Sequence, residues 1–263
     1  MSGPDGTPDR ANAPVRDAVS PAPAPASGPG EEGSDSAASG RGTIRAPTRP
    51  QELSRAAAAG QLDAGGRFAQ QLEFIVAIDK LKNVLRISQL TDGSRRENSA
   101  EHTWHVALMA MLLREHTSAD IDVFHAIRLL LIHDIVEIDA GDTYCYDTEG
   151  YADKEERERQ AAIRLFGLLP DDQSSECLAL WEEFEAMRTP AAVFANAMDR
   201  LQPFILGRHR DDGQWTFRAR TREQILGRMD PVREAAPGIW PYVVQVIEDA
   251  FESGRYGAPY PWE

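Results

Sequence analysis

No run of about eighteen apolar residues occurs anywhere in the chain, so the sequence offers no candidate for a membrane-crossing helix. The first residues also lack the basic start and short apolar run of a secretory signal. Cysteine is scarce: Cys145 and Cys177 are too few for a disulfide framework and point to a reduced, cytoplasmic setting. Basic residues are outnumbered, with 28 Lys and Arg against 42 Asp and Glu and a net charge of -14. Without a basic stripe the chain is poorly equipped to neutralise a phosphate backbone. That argues against a nucleic-acid polymer as main partner and leaves a small anion met by local arginines and a metal. Large apolar side chains are nearly missing from residues 1–50, where Ala, Pro, Gly, Ser and Asp dominate. Such a stretch buries too little surface to offset the entropy of ordering it, so a disordered tail is expected there. Residues 51–263 are ample for a single core.

Strand alternation is hardly visible, whereas helical spacing recurs. Leu72, Ile75, Val76, Ile78, Leu81, Val84 and Leu85 predict a first amphipathic helix that ends at Arg86, before Thr91-Asp92-Gly93. Trp104, Leu108, Met111 and Leu112 mark a second from about Ala100. Phe124, Ile127, Leu130 and Leu131 mark a third, running through His133 toward Glu137. Asp153 and Glu156 read as a capping-box variant for a fourth, closed by Gly167. A fifth spans Ser175 to Met187. Thr189-Pro190 caps a sixth that carries Asp199 and is broken or kinked near Pro203. Two more follow, at about Arg222 to Glu234 and Pro241 to Glu252. The expected fold is all-α: one helical bundle behind a tail.

The histidines carry the most information. His133 and Asp134 are adjacent at the end of the apolar run Leu129-Leu-Leu-Ile132. Ionisable groups in such a place need a partner, because burying them unpaired is costly. A divalent metal supplies one. His102 on the preceding helix and Asp199 on a later one complete a set of two imidazoles and two carboxylates from three helices. From Ile135 to Met198 there is no further histidine. The mixed nitrogen and oxygen donors suit Mn, Co, Fe, Ni or Zn.

Three segments carry a resemblance: Arg95-Arg-Glu-Asn-Ser-Ala-Glu-His102, His133-Asp-Ile-Val-Glu137-Ile-Asp-Ala-Gly-Asp142, and Met198-Asp-Arg-Leu-Gln202. In order and spacing they resemble the HD-domain phosphohydrolases, and within them the bacterial 5'-deoxynucleotidase branch. The resemblance implies metal ligation by His102, His133, Asp134 and Asp199. It implies one ion rather than two, because two-metal members carry extra histidines between the His-Asp pair and the last aspartate. It also implies a homodimer; apolar faces on the last helices are compatible with that. Glu137, four residues after His133 and on the same helix face, is then the group that handles the proton. Asp142 belongs to the same site. Arg86 and Arg95 match arginines that meet phosphate, where the guanidinium fork pairs with two oxygens. Some family members follow the first of these with a tryptophan that packs on the sugar. Here Ile87 stands there instead, which leaves the choice between deoxyribose and ribose open. His105 is read as a satisfied core histidine, Cys145 as no nucleophile, and Tyr144 and Tyr146 as core aromatics more than base contacts.

The expected activity is hydrolysis of a (deoxy)nucleoside 5'-monophosphate. The same chemistry on a nucleoside triphosphate or a specialised metabolite is the alternative within enzymes. A non-catalytic nucleotide- or metal-binding sensor is the alternative outside them, and the presence of Glu137 and Asp142 argues against it.

Overall fold

A computed structural model describes residues 66–117, 120–147, 149–210 and 221–253. The expected tail at residues 1–50 lies outside them. Helix dominates, in the order α1 (Arg67–Ile78), β1 (Leu85–Gln89), β2 (Arg96–Asn98), α2 (Ser99–Leu113), α3 (Val123–His133), α4 (Glu137–Ala140), α5 (Lys154–Phe166), α6 (Asp171–Ala186), α7 (Pro190–Arg208), α8 (Arg222–Arg228), α9 (Asp230–Ala235) and α10 (Trp240–Glu252). No helix among the described residues is long and apolar enough to cross a membrane.

The first helix is shorter than its apolar spacing predicts. It gives way to a 3-10 turn at Asp79–Asn83, and the chain then extends, so Arg86 lies on β1. Leu85-Arg-Ile-Ser-Gln89 alternates apolar and polar residues, and it pairs antiparallel with β2 through Leu85↔Asn98 and Gln89↔Arg96. Gly93, at φ 69, takes the left-handed conformation that the turn of this hairpin requires. Arg96 braces the pair, donating to the carbonyls of Arg86 and Leu85. Directly after β2, Asn98 and Glu101 form a reciprocal capping box that sets the start of α2.

The third helix also stops early. Regular α geometry ends at His133, and Asp134–Val136 tighten into a 3-10 turn before α4. The expected capping box at Asp153 does not form: its carboxylate takes Arg157 instead, at 2.8 Å. Helix α6 begins earlier than Ser175, immediately after Pro170. Thr189 does cap α7, accepting from the Ala192 amide at 3.1 Å. That helix continues through Pro203 to Arg208 rather than breaking. Proline removes one donor, the N–H that would have met the carbonyl of Asp199, and neighbouring bonds carry the helix across the gap. The segment expected as one helix from Arg222 divides into α8 and α9, with Pro231 in the first turn of the second.

The main core lies where α2, α3, α6, α7, α9 and α10 meet, around Val106, Leu129, Leu130, Phe194, Met198, Leu201, Phe204 and Ile247. A smaller cluster joins Phe74 of α1, Val136, Leu165 and Phe166 of α5, and Trp181 of α6. The apolar face of α10 is spent in the core through Val243, Val246, Ile247 and Ala250, so the last helix offers no open seam. Among the described residues, an exposed apolar stripe runs along α2. Trp104, Leu108, Met111 and Leu112 share one helix face, and Trp104 is 65% exposed and Leu112 64%.

Candidate active site

The site assembles where α2, the end of α3, and the middle of α7 face one another. Helix α2 contributes His102, which is fully buried; α3 ends on His133; α7 supplies Asp199. One ligand atom from each of these three lies within 4.8 Å of the others. The nearest pair is His102 Nε2 and Asp199 Oδ1, at 2.9 Å. Asp134, on the 3-10 turn, puts Oδ1 2.9 Å from His133 Nε2 and Oδ2 4.0 Å from His102 Nε2. Its second oxygen also accepts from Arg86 Nη1 at 2.8 Å.

The two imidazoles are held in defined tautomers. His133 Nδ1–H donates to the Leu130 carbonyl at 2.6 Å, which leaves the Nε2 lone pair directed at the carboxylates. That Nε2 is buried and forms no hydrogen bond, despite its closeness to Asp134. A buried acceptor among carboxylates is costly unless a cation sits among them. The donor set therefore fits a divalent metal.

His102 is oriented by a chain of buried groups. Its Nδ1–H donates to Gln202 Oε1 at 3.1 Å, and Gln202 Nε2 donates to Glu97 Oε1 at 2.6 Å. Gln202 Nε2 also reaches His105 Nδ1 at 3.2 Å, so His105 belongs to this network. Ser88 Oγ on β1 donates to the other Glu97 oxygen at 3.2 Å. Glu97 and Gln202 lie inside the segments that carry the family resemblance, yet residue spacing alone gave them no role. The signals that could have found them are the capping box, which fixes Glu97 just ahead of α2, and the Asp199–Gln202 spacing of about one helical turn. Partners of this kind typically tune metal affinity ten- to hundredfold. Gln202→Leu, which keeps volume and loses all three contacts, should weaken metal binding by about that factor in a competition titration. An unchanged dissociation constant would reduce the network to packing.

Charge is strongly perturbed here. Burial alone would push Asp199 up, but the hydrogen bond with His102 and the nearby His133 imidazole hold it well below the usual carboxylate range. Asp134 follows the same pattern: burial opposes ionisation, and His133 and Arg86 bring it down to about 2. Glu137 goes the other way. Burial, and then the charge of Asp134, push its carboxyl well above its ordinary value, while Ser99 Oγ donates to Oε2 at 2.6 Å. Glu137 reaches the site across the 3-10 turn rather than along a continuous helix face, with Oε1 3.9 Å from Arg86 Nη1. Burial works against the Arg86 charge, but Asp134, Glu137, Asp142 and Asp199 keep it firmly protonated.

A cleft runs from this cluster, lined by Arg86, Ile87, Asp142, Tyr144, Cys145 and Tyr146 and by residues of α7, α8 and the segment joining α8 to α9. Its empty space is about 1020 Å³ including the mouth. Gly141, at φ 77, closes α4 and turns the chain so that Asp142 joins the cleft wall. Burial pushes the Asp142 carboxyl up, against the pull of Arg86. Cys145 lines the same cleft, and burial pushes its thiol up, away from nucleophilic use. Arg95 stands apart. It forms two bonds to Glu101, at 2.6 and 2.9 Å, and lines a neighbouring pocket that shares Ile87, Asp142 and Tyr144 with the cleft.

Residues 78–240 match the family model described as HD domain. Among curated proteins, the 5'-deoxynucleotidase HDDC2 of Bos taurus is 28% identical over 189 residues, covering 70% of this chain and 86% of the relative. The Homo sapiens protein of the same name is 26% identical over 181 residues, 68% of this chain and 83% of its own. Among solved structures, a predicted metal-dependent phosphohydrolase from Magnetospirillum magnetotacticum MS-1 superposes with a TM-score of 0.68. It is 47% identical, and the match covers 73% of this chain and 97% of that one.

Proposed function

This chain belongs to the HD domain family, and from that membership we propose that it is a metal-dependent phosphohydrolase releasing phosphate from (deoxy)nucleoside 5'-monophosphates. The observation that carries this reading is the buried His133 Nε2, without a hydrogen bond and facing the carboxylates beside His102 and Asp199. His102, His133, Asp134 and Asp199 would hold one divalent ion, and Mn, Co, Fe, Ni and Zn all suit such donors. When bound, the ion supplies Lewis-acid polarisation of a phosphate oxygen. Arg86 meets the phosphate and offsets its charge. Asp142 orients the attacking water from the cleft wall. Glu137, whose carboxyl burial and the Asp134 charge push well above its ordinary value, gives a proton to the departing 5'-oxygen as the phosphorus–oxygen bond breaks. Arg95 is committed to Glu101 and would touch a substrate only through the pocket it lines, so the phosphate role rests with Arg86.

Phosphate release from a panel of ribo- and deoxynucleoside 5'-monophosphates, with chelator and with each metal added back, tests this. Release should need a metal and stop with chelator. Metal binding without release from any nucleotide or other small phosphate would identify a sensor module instead.

A homodimer is part of the same proposal. The exposed Trp104–Leu112 stripe on α2 supports it, because monomers rarely leave such a contiguous apolar face open. Trp104→Glu should shift the protein to half its mass in analytical ultracentrifugation; an unchanged mass would place the interface elsewhere.

A further inference from the structure

Between α4 and α5 the chain runs from Gly141 to Asp153 without helix or strand among the described residues. This stretch is one wall of the cleft, through Asp142, Thr143, Tyr144, Cys145 and Tyr146. A wall with no ladder of its own holds a side chain only as firmly as its anchors do. Its later part closes on itself: Asp147 N donates to the Tyr144 carbonyl at 2.9 Å, and Gly150 N to Asp147 Oδ1 at 3.0 Å. The part that carries Asp142 is tied from outside, by Arg157 of α5. Every nitrogen of that guanidinium is used. Nη1 donates to the Ala140 carbonyl, and Nη2 to Thr143 Oγ1 at 3.3 Å and the Gly150 carbonyl at 3.0 Å. Nε donates to Asp153 Oδ1 at 2.8 Å.

An arginine that served only the helix surface would need no acceptor beyond the carboxylate one turn away, here Asp153. Arg157 spends its other bonds on Ala140, Thr143 and Gly150, in or directly beside the wall. Ala140 and Thr143 bracket Asp142, so one planar charged group fixes the chain on both sides of that carboxylate. The bond to Gly150 brings the far end of the stretch to the same point. Arg157 lines the neighbouring pocket and not the cleft, so it acts through the wall rather than on the phosphate. We infer that Arg157 is a positioning residue for the hydrolysis, holding Asp142 where it orients the attacking water. The inference rests on the nucleotide reading above and adds to it the group that sets the geometry of Asp142.

The test is a pair of variants in the metal-loaded enzyme, Arg157→Gln and Asp142→Asn, and their combination. Glutamine is a good helix former, and the ion pair lost with Asp153 is partly exposed, so the fold should stand. In Arg157→Gln, kcat for a deoxynucleoside 5'-monophosphate should fall about ten- to hundredfold, as for a displaced catalytic group, with KM and metal content little changed. Arg157→Lys restores the charge beside Asp153 but not the fork, and should recover little of that loss. The decisive reading is the cycle. Once Asp142→Asn has removed the group being positioned, Arg157→Gln should cost less than about twofold more. An equal loss in both backgrounds, a wild-type kcat in Arg157→Gln or in Asp142→Asn, or full recovery in Arg157→Lys overturns the inference and leaves the nucleotide reading standing. Failure of every nucleotide to turn over would instead remove the nucleotide reading. Hydrogen–deuterium exchange then decides the positioning: faster exchange confined to residues 140–147 in Arg157→Gln supports it, and exchange like wild type overturns it.

Discussion

Asp199→Ala should strip the protein of metal and abolish nearly all phosphate release while leaving its helical circular dichroism intact. Asp199 Oδ1 is 2.9 Å from His102 Nε2 and 3.8 Å from His133 Nε2, so it is the group through which both imidazoles are drawn to one point. Partners that merely orient a ligand are worth ten- to hundredfold in metal affinity, and removal of a ligand itself should exceed about a hundredfold. The fold has reason to survive. Position 199 lies inside α7, where alanine is a better helix former than aspartate, and the core contacts of Met198 and Leu201 on the same helix are untouched. Elemental analysis after dialysis reads the metal, and a variant that keeps stoichiometric metal would remove Asp199 from the ligand set.

The helical character of the chain was legible because its apolar residues recur at helical intervals over long stretches, as in Leu129-Leu-Leu-Ile132 and along α10. The places where that reading missed are short and local. Leu85–Gln89 alternates over only five residues, directly after a longer helical pattern, and a strand of that length gains its order from pairing with Arg96–Asn98 rather than from its own sequence. The turn at Asp134–Val136 is set by tertiary demands at the site, which no periodicity encodes. Pro203 misled in the opposite sense. Its missing donor suggested a break, whereas the buried neighbours Leu201, Gln202 and Phe204 hold the helix through it.

Within the site, the residues that stood out were ionisable groups next to apolar runs, since such groups are conspicuous in sequence. His102, His133 and Asp199 do converge. The groups that escaped were those whose role is relational. Nothing in the text near Glu97 reports that its carboxylate receives Gln202, more than a hundred residues later, or that Arg95 is occupied by Glu101.

Glu137→Gln separates binding from chemistry, and the expected loss is a hundredfold or more in kcat, the usual worth of a positioned acid or base at about 10²–10⁴. The substitution keeps shape and size, so the contact with Ser99 Oγ at 2.6 Å can persist with the amide oxygen as acceptor. What disappears is a carboxyl whose hold on its proton burial and the Asp134 charge strengthen. That proton is the one thing the departing 5'-oxygen needs at the moment the bond to phosphorus breaks, and an amide cannot replace it. Metal content should remain near stoichiometric, because the proposed ligand set of His102, His133, Asp134 and Asp199 leaves Glu137 out and Ser99 Oγ holds one of its carboxyl oxygens. KM should change little, since Arg86 still meets the phosphate and the missing interaction belongs to the transition state. A leaving group of low basicity offers the decisive control. Aryl phosphates depart without a proton, so the variant should hydrolyse them with a far smaller deficit than it shows for a nucleotide. An equal deficit for both would move Glu137 from acid to a role in orienting water. A wild-type rate on nucleotides would pass the proton to Asp142, and loss of the metal would make Glu137 a ligand.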